Sequence, residues 1–235
     1  TGYYKDITGL VDMQNTNFTA VDAYDLYING DYGNVRGAEF NLMRRPSNFI
    51  SFNANYTYSI AKGKSSSARQ NYDYVCAGWV IPKRESYLDS DQTQMVTANF
   101  DFRIPRGAGP VWGGTRYLPG LGLSLQWNYG SGLPYTASSQ GTADPQINGG
   151  RMPFTMNTDA KLNKMWWIGD TSVNVYVWVL NLFNRANINV IRDAGWYDAD
   201  QDGDGQPDHD PRSASGQPDA YARRRAIRFG IDFEW

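Results

Sequence analysis

The chain has 235 residues, of which 20% are charged, and its formal net charge is -2. That size suits one large β domain or two small ones, and so weak a charge creates no overall field to draw nucleic acid or an anionic surface. A single cysteine, Cys76, excludes an internal disulfide, and a single histidine, His209, excludes a His-rich zinc centre.

Aromatic residues make up 14% of the chain, with 16 Tyr and 8 Trp beside 24 Gly, a mixture that favours strands joined by turns. No run of about 18 apolar residues occurs, so any membrane role falls to strands and not to helices. The chain opens at Thr1 without a signal-peptide pattern. Tyr3-Tyr4 reads as the outer tip of a strand that begins earlier, so a piece of a longer protein is expected.

Period-two alternation marks seven strands. The first, near 34–45, sets Ala38, Phe40 and Leu42 against Glu39 and Asn41. The second, near 49–60, sets Phe52, Ala54, Tyr56 and Tyr58 against Ser51, Asn53, Asn55 and Thr57. Near 93–104, Val96, Ala98, Phe100 and Phe102 oppose Asn99 and Asp101; near 120–130, Leu121, Leu123, Leu125, Trp127 and Tyr129 form one stripe. Near 154–164, Met156, Thr158, Ala160 and Leu162 oppose Asn157, Asp159 and Lys161, and near 171–183 the stripe is Val173, Val175, Val177 and Val179. The last strand, near 224–235, alternates Ile227, Phe229, Ile231, Phe233 and Trp235 with Arg228, Asp232 and Glu234.

The spacers alternate between short and long. Arg45-Pro46-Ser47-Asn48 and Met165 to Asp170 read as tight turns and 105–119 as intermediate, whereas 5–33, 61–92, 131–153 and 184–223 are long, polar loops that all fall on one end. An antiparallel transmembrane β-barrel has this asymmetry, with short periplasmic turns, long extracellular loops and strands of about 9–11 residues. A soluble sandwich is the alternative, since one wet face and one core face alternate in the same way. Aromatics at the strand ends, Tyr56, Tyr58, Trp127 and Tyr129 at one and Trp166, Trp167, Phe233 and Trp235 at the other, favour the barrel with its two interfacial girdles. In that arrangement Glu39, Asp101, Asp159, Asp232 and Glu234 face the lumen and are expected to pair with Arg228 and Lys161.

One loop carries a metal signal. Asp200, Asp202, Asp204 and Asp208 alternate around Gly205, flanked by Asp198 and Asp210; this is how oxygen ligands wrap Ca2+. Pro211 stands where an EF-hand has its closing Glu, so the loop is read as a free-standing calcium repeat that stiffens the surface. Catalysis is poorly supplied: His209 has no nucleophile nearby in sequence, Cys76 reads as a packed loop residue, and no enzyme is expected. Arg223-Arg224-Arg225 is too short a run for nucleic acid; it is expected to meet acidic loop residues or lipopolysaccharide. Tyr24, Tyr27, Tyr32, Tyr72, Tyr74, Trp79 and Tyr135 in the loops are the candidates for contact with a small ligand or peptide, or for packing the loops into a lid.

Gly33-Asn34-Val35-Arg36-Gly37-Ala38-Glu39-Phe40, Tyr56-Thr57-Tyr58-Ser59, Tyr129-Gly130-Ser131-Gly132-Leu133-Pro134-Tyr135-Thr136 and Val179-Leu180-Asn181-Leu182-Phe183-Asn184-Arg185 resemble the closing strands of TonB-dependent outer-membrane receptors. Their wording is most similar to the Oar-like, Bacteroidetes-type members. The resemblance implies a barrel of twenty-two strands, of which this chain supplies about the last seven to eight, with the plug domain absent. It implies the outer membrane of a Gram-negative bacterium, outer-membrane lipid around the wall, and a TonB complex acting through an absent N-terminal region. Phe229, Ile231, Phe233 and Trp235 are similar to the aromatic-ended signal read by the barrel-assembly machinery. A calcium-stabilised secreted or surface adhesin and a small passive barrel of about eight strands are the alternatives.

Overall fold

Alternating side chains and turn residues between them produce one antiparallel meander. The computed structural model describes residues 1–16, 24–76, 84–136, 147–191 and 221–235. Eleven strands and one short helix form: β1 (Gly2–Thr16), β2 (Tyr24–Ser47), β3 (Ile50–Gly63), α1 (Gln70–Cys76), β4 (Ser86–Tyr87), β5 (Gln94–Arg103), β6 (Leu121–Gly130), β7 (Pro134–Tyr135), β8 (Gly150–Arg151), β9 (Thr155–Ile168), β10 (Thr171–Leu180) and β11 (Ala226–Glu234). The main sheet runs β1-β2-β3-β5-β6-β9-β10-β11, with β4 paired to β3, and β7 pairs β8 separately. No helix among the described residues is long and apolar enough to cross a membrane.

Each stretch where alternation marks a strand is a strand. The turns at one end are tight for local reasons. Asn48 and Phe49 both take positive φ, 51° and 71°, which matches the twist of a two-residue hairpin, and Gly169 at φ 64° closes β9 onto β10. The strand ends that lead into and out of 64–93, 131–154 and 181–225 all lie at the opposite end, as the antiparallel order requires.

One expectation is corrected. The segment 5–33, read as a long loop, is mostly strand: β1 and β2 pair from Gly2↔Ala38 out to Thr16↔Tyr24, with bulges around Leu10. Pairing of β2 with β3 stops at Gly33↔Gly63, so the β1–β2 ribbon continues beyond the sheet as an arm of about 30 Å at roughly 3.3 Å per residue. The described residues form an open antiparallel sheet with β1 and β11 at its edges, and no barrel closes within them.

Register puts all the stripes on one face. Phe40↔Tyr56↔Val96↔Tyr129↔Met156 and Arg44↔Phe52↔Phe100↔Leu125↔Ala160↔Val179 are continuous rows across the sheet. Nothing covers that face among the described residues. Among the described residues only Ile104 (3%) and Ile147 (9%) are buried hydrophobics, while Leu42 is 62% and Phe229 78% exposed. Phe52, Leu125 and Val177 are half-buried among neighbours in their own sheet, with no second layer over them among the described residues.

Candidate functional site

The opposite face is polar and its side chains satisfy one another across strands. Asn41 meets Asn53 (3.1 Å) and Asn55, Ser124 donates to Asp101 (2.5 Å), and Asn163 donates to Asn174 (3.0 Å), which in turn donates to Asp232 (3.2 Å). The expected ion pairs are absent. Asp159 accepts from Asn157 (2.8 Å) and from the Asn181 N–H (2.8 Å), and Ser172 donates to Glu234 (3.4 Å). Lys161 instead lies 4.3 Å from the Tyr176 ring centre and Arg228 5.5 Å from that of Trp178. Register explains the exchange, because Arg228 sits directly opposite Trp178 and Lys161 reaches diagonally to Tyr176, distances at which long and aromatic side chains touch. Tyr176 also lies over Gly230, where any Cβ would collide with the ring.

The girdle residues divide. Trp166 shares the apolar face with Val173 and Phe233, but Trp167 stands opposite Ser172 on the polar face, with the Arg106 guanidinium 5.6 Å from its ring. Lys164, in phase with Trp166, turns its ammonium to the carbonyl oxygens of Tyr117 (2.8 Å) and Pro119 in the 104–120 connection. The stem stays on the apolar face while the charge leaves it.

At the long-loop end the segments between strands form an ordered polar layer. Asp91 is 1% exposed. Its carboxylate accepts from the Ala61 N–H (2.6 Å), from Thr93 (3.0 Å) and from the Arg151 guanidinium, which also reaches the carbonyls of Asp91 (3.1 Å) and Gly132 (3.2 Å). Asn148 ties the same layer to the Tyr87 carbonyl and the Asp89 carboxylate, each at 2.7 Å. A second cluster clasps the arm. Asn71 of α1 donates to Asp12 of β1 (3.2 Å), Lys64 stands 3.8 Å from Asp12, and Ser65 donates to Asp31. Asp31 lies in the arm, and burial pushes its carboxyl above the ordinary carboxylate range; the Tyr32 N–H and Lys64 oppose this, and Asp12 adds to it.

These two clusters carry no motif. Arg151 and Asp91 are 60 residues apart in sequence, and neither sits in an alternating stretch, so pattern alone could not pair them.

The loop aromatics are only partly brought together. Tyr72 lies under the Arg69 guanidinium (5.6 Å), and Tyr27 is near enough to Arg69 to act on its charge. Tyr74 accepts from Gln70 (2.7 Å), and burial raises its hydroxyl above the usual phenol range. Tyr32 is exposed at the base of the arm, and Tyr135 packs over Gly150. They therefore belong to separate places, the arm clasp and the β7–β8 ladder. Trp79, the side chain of Tyr24, the side chain of Cys76, His209 and the candidate calcium ligands Asp198, Asp200, Asp202, Asp204, Asp208 and Asp210 lie outside the described residues. Among the described residues no group of three or more His, Cys, Asp or Glu could hold a metal ion.

Phe229 and Ile231 alternate with Arg228 and Gly230 along β11, Phe233 is exposed beside them, and Trp235 is 94% exposed. Compared with known proteins, the chain matches no family model and no curated protein.

Proposed function

We propose that the chain is a wall segment of an outer-membrane β-barrel of the TonB-dependent receptor type, its apolar face in lipid, its polar face lining the passage and its loop layer meeting ligand. The observation that carries this is the uncovered apolar face. A continuous apolar surface across the seven strands from β2 to β11 of the main sheet is far larger than the few hundred Å² a soluble monomer exposes, and water penalises it by about 25 cal/mol for each Å². Hydrocarbon removes that penalty.

The two free edges support the same assignment. Backbone N–H and C=O groups have no water to bond in a bilayer core, so β1 and β11 need further strands in a closed ring. The resemblance of the strand motifs to the closing strands of TonB-dependent receptors supplies the type of barrel. The wall itself is passive: its lumen groups are amides, hydroxyls, carboxylates held by neutral donors and ring-bound cations, and energy for uptake would come through the TonB complex.

Spin labels placed singly along 226–233 in a Cys76→Ser background, in vesicles, test the assignment. Labels at Phe229 and Ile231 should relax with oxygen and those at Arg228 and Asp232 with a water-soluble reagent. Equal access of the aqueous reagent to all positions, or a monodisperse protein in plain buffer, would sink it. The genomic sequence encoding residues upstream of Thr1 tests the receptor type, for which a plug domain is the expected finding.

A further inference from the structure

The corner of the sheet between β6, β9 and the turn after β10 holds features that wall formation does not require. On the apolar face a groove of about 440 Å³ has Ala98 as its floor, with Phe52, Phe100, Leu125, Trp127 and Phe183 among its walls. From Trp127 a ladder of rings climbs towards the loops: Trp127 to Tyr129 at 6.2 Å, Tyr129 to Phe154 at 5.6 Å, and the Arg185 guanidinium 4.1 Å above Phe154. The groove and the cation therefore belong to one continuous surface.

Among the described residues Arg185 has no anionic partner. Its Nη2 donates to the Phe154 carbonyl (3.3 Å), but its Nε is buried without a partner, and no carboxylate pairs with it among the described residues. More positive charge is anchored beside it. Buried Asn181 holds the Arg185 backbone from both sides (N–H to Oδ1 3.0 Å, Nδ2 to O 2.9 Å) and also donates to the Arg223 carbonyl (3.1 Å), while Asn184 accepts from the Arg225 N–H (3.0 Å). Two asparagines thus fix three arginine backbones at the loop-side rim of the groove. Arg223, Arg224 and Arg225 are exposed, and Arg225 is in phase with Ile227 and Phe229 of the apolar face.

We infer that this corner binds a phosphate-bearing lipid, an acyl chain in the Phe183 groove and the phosphate at Arg185 and its neighbours. The inference rests on the membrane assignment above and names one site within it. A guanidinium beside an apolar surface gains most from an anion that brings its own hydrocarbon, because the chain is bound where the charge is least hydrated and the contact strongest. A free phosphate would leave the groove empty, and a neutral or zwitterionic head would leave the arginines uncompensated.

The test is native mass spectrometry of the protein released from maltoside micelles, offered phosphatidic acid and phosphatidylcholine with identical chains. Phosphatidic acid should be retained in preference. Arg185→Gln should cut that preference by about tenfold, as for one charge-assisted contact, and Arg185→Lys by less; Ala98→Phe should lower retention of both lipids by filling the groove. Inorganic phosphate should not displace the lipid. Equal retention of the two lipids by the unmodified protein, an unchanged preference in Arg185→Gln, or full displacement by inorganic phosphate would overturn the site. Heat-modifiable migration is measured alongside, so a variant that no longer folds is set aside and the unmodified protein's ratio decides. A protein that needs no detergent reports failure of the barrel assignment instead.

Discussion

In the strand body, between the rows that join β3 to β10, side chains on both faces stay half-exposed, and polar groups meet in side-chain hydrogen bonds such as Ser124 to Asp101 and Asn163 to Asn174, not in ion pairs. The loop layer is the reverse. Asp12, Asp31, Ser65, Asn71, Asp91 and Asn148 are all buried there, and Ile147 is the buried hydrophobic among them. A sheet whose solvent supplies the apolar phase needs no core of its own, so its backbone ladders and its surroundings hold it. Segments that leave the ladder must bond their freed backbone groups through side chains, and buried Asp and Asn do this.

The largest effect should come from breaking the loop layer alone. Arg151→Met leaves the Asp91 carboxylate buried with only the Ala61 N–H and Thr93, and loss of one member of a buried pair costs about 3–5 kcal/mol. Amide exchange should quicken in 84–94 and 147–152 while β5 and β6 keep their protection; uniform loss across the sheet would show that the two regions are not separable. Next is the sheet's apolar row. Val177→Arg should destabilise vesicle-folded protein by about 2–4 kcal/mol, whereas Gln126→Arg on the polar face should change little, both read from denaturant midpoints.

Gly230→Val forces the Tyr176 ring off the sheet and should cost about 1–3 kcal/mol as overpacking, seen as a lower midpoint with the Lys161 contact disturbed. The smallest effect sharpens the comparison through pH. Because burial raises the Asp31 carboxyl, the folded arm favours the neutral acid. That stabilisation is complete below the ordinary Asp value of about 3.9 and is lost as pH rises through the higher folded value. Exchange at 28–33 and 65–71 should therefore quicken with pH beyond its intrinsic rise, and Asp31→Asn should remove the excess.

Strand body and loop layer also differ in how much the sequence discloses. Alternation exposes β3, β6 and β11 directly, since a slip of one residue would turn Phe52 or Phe229 to the wet face. It fails for the arm because Asn29-Gly30-Asp31 has loop composition and the bulges near Leu10 break the phase of β1. The charged residues of the strands were identifiable as sharing the polar face, but their partners depend on register, which put Arg228 opposite Trp178 and not opposite a carboxylate. The loop clusters were invisible, as Asp12 and Asn71 meet across 59 residues with no repeat between them.

The β1–β2 ribbon behaves as a cantilever. Two strands alone are marginal in water, and the ribbon's free length would begin at Gly33 were it not for α1, whose Asn71 grips Asp12 partway out. That buttress moves the fulcrum outward and stiffens what remains. Any large particle approaching from the loop side therefore touches a braced boom, carrying exposed Tyr27, before it reaches the ends of the strands.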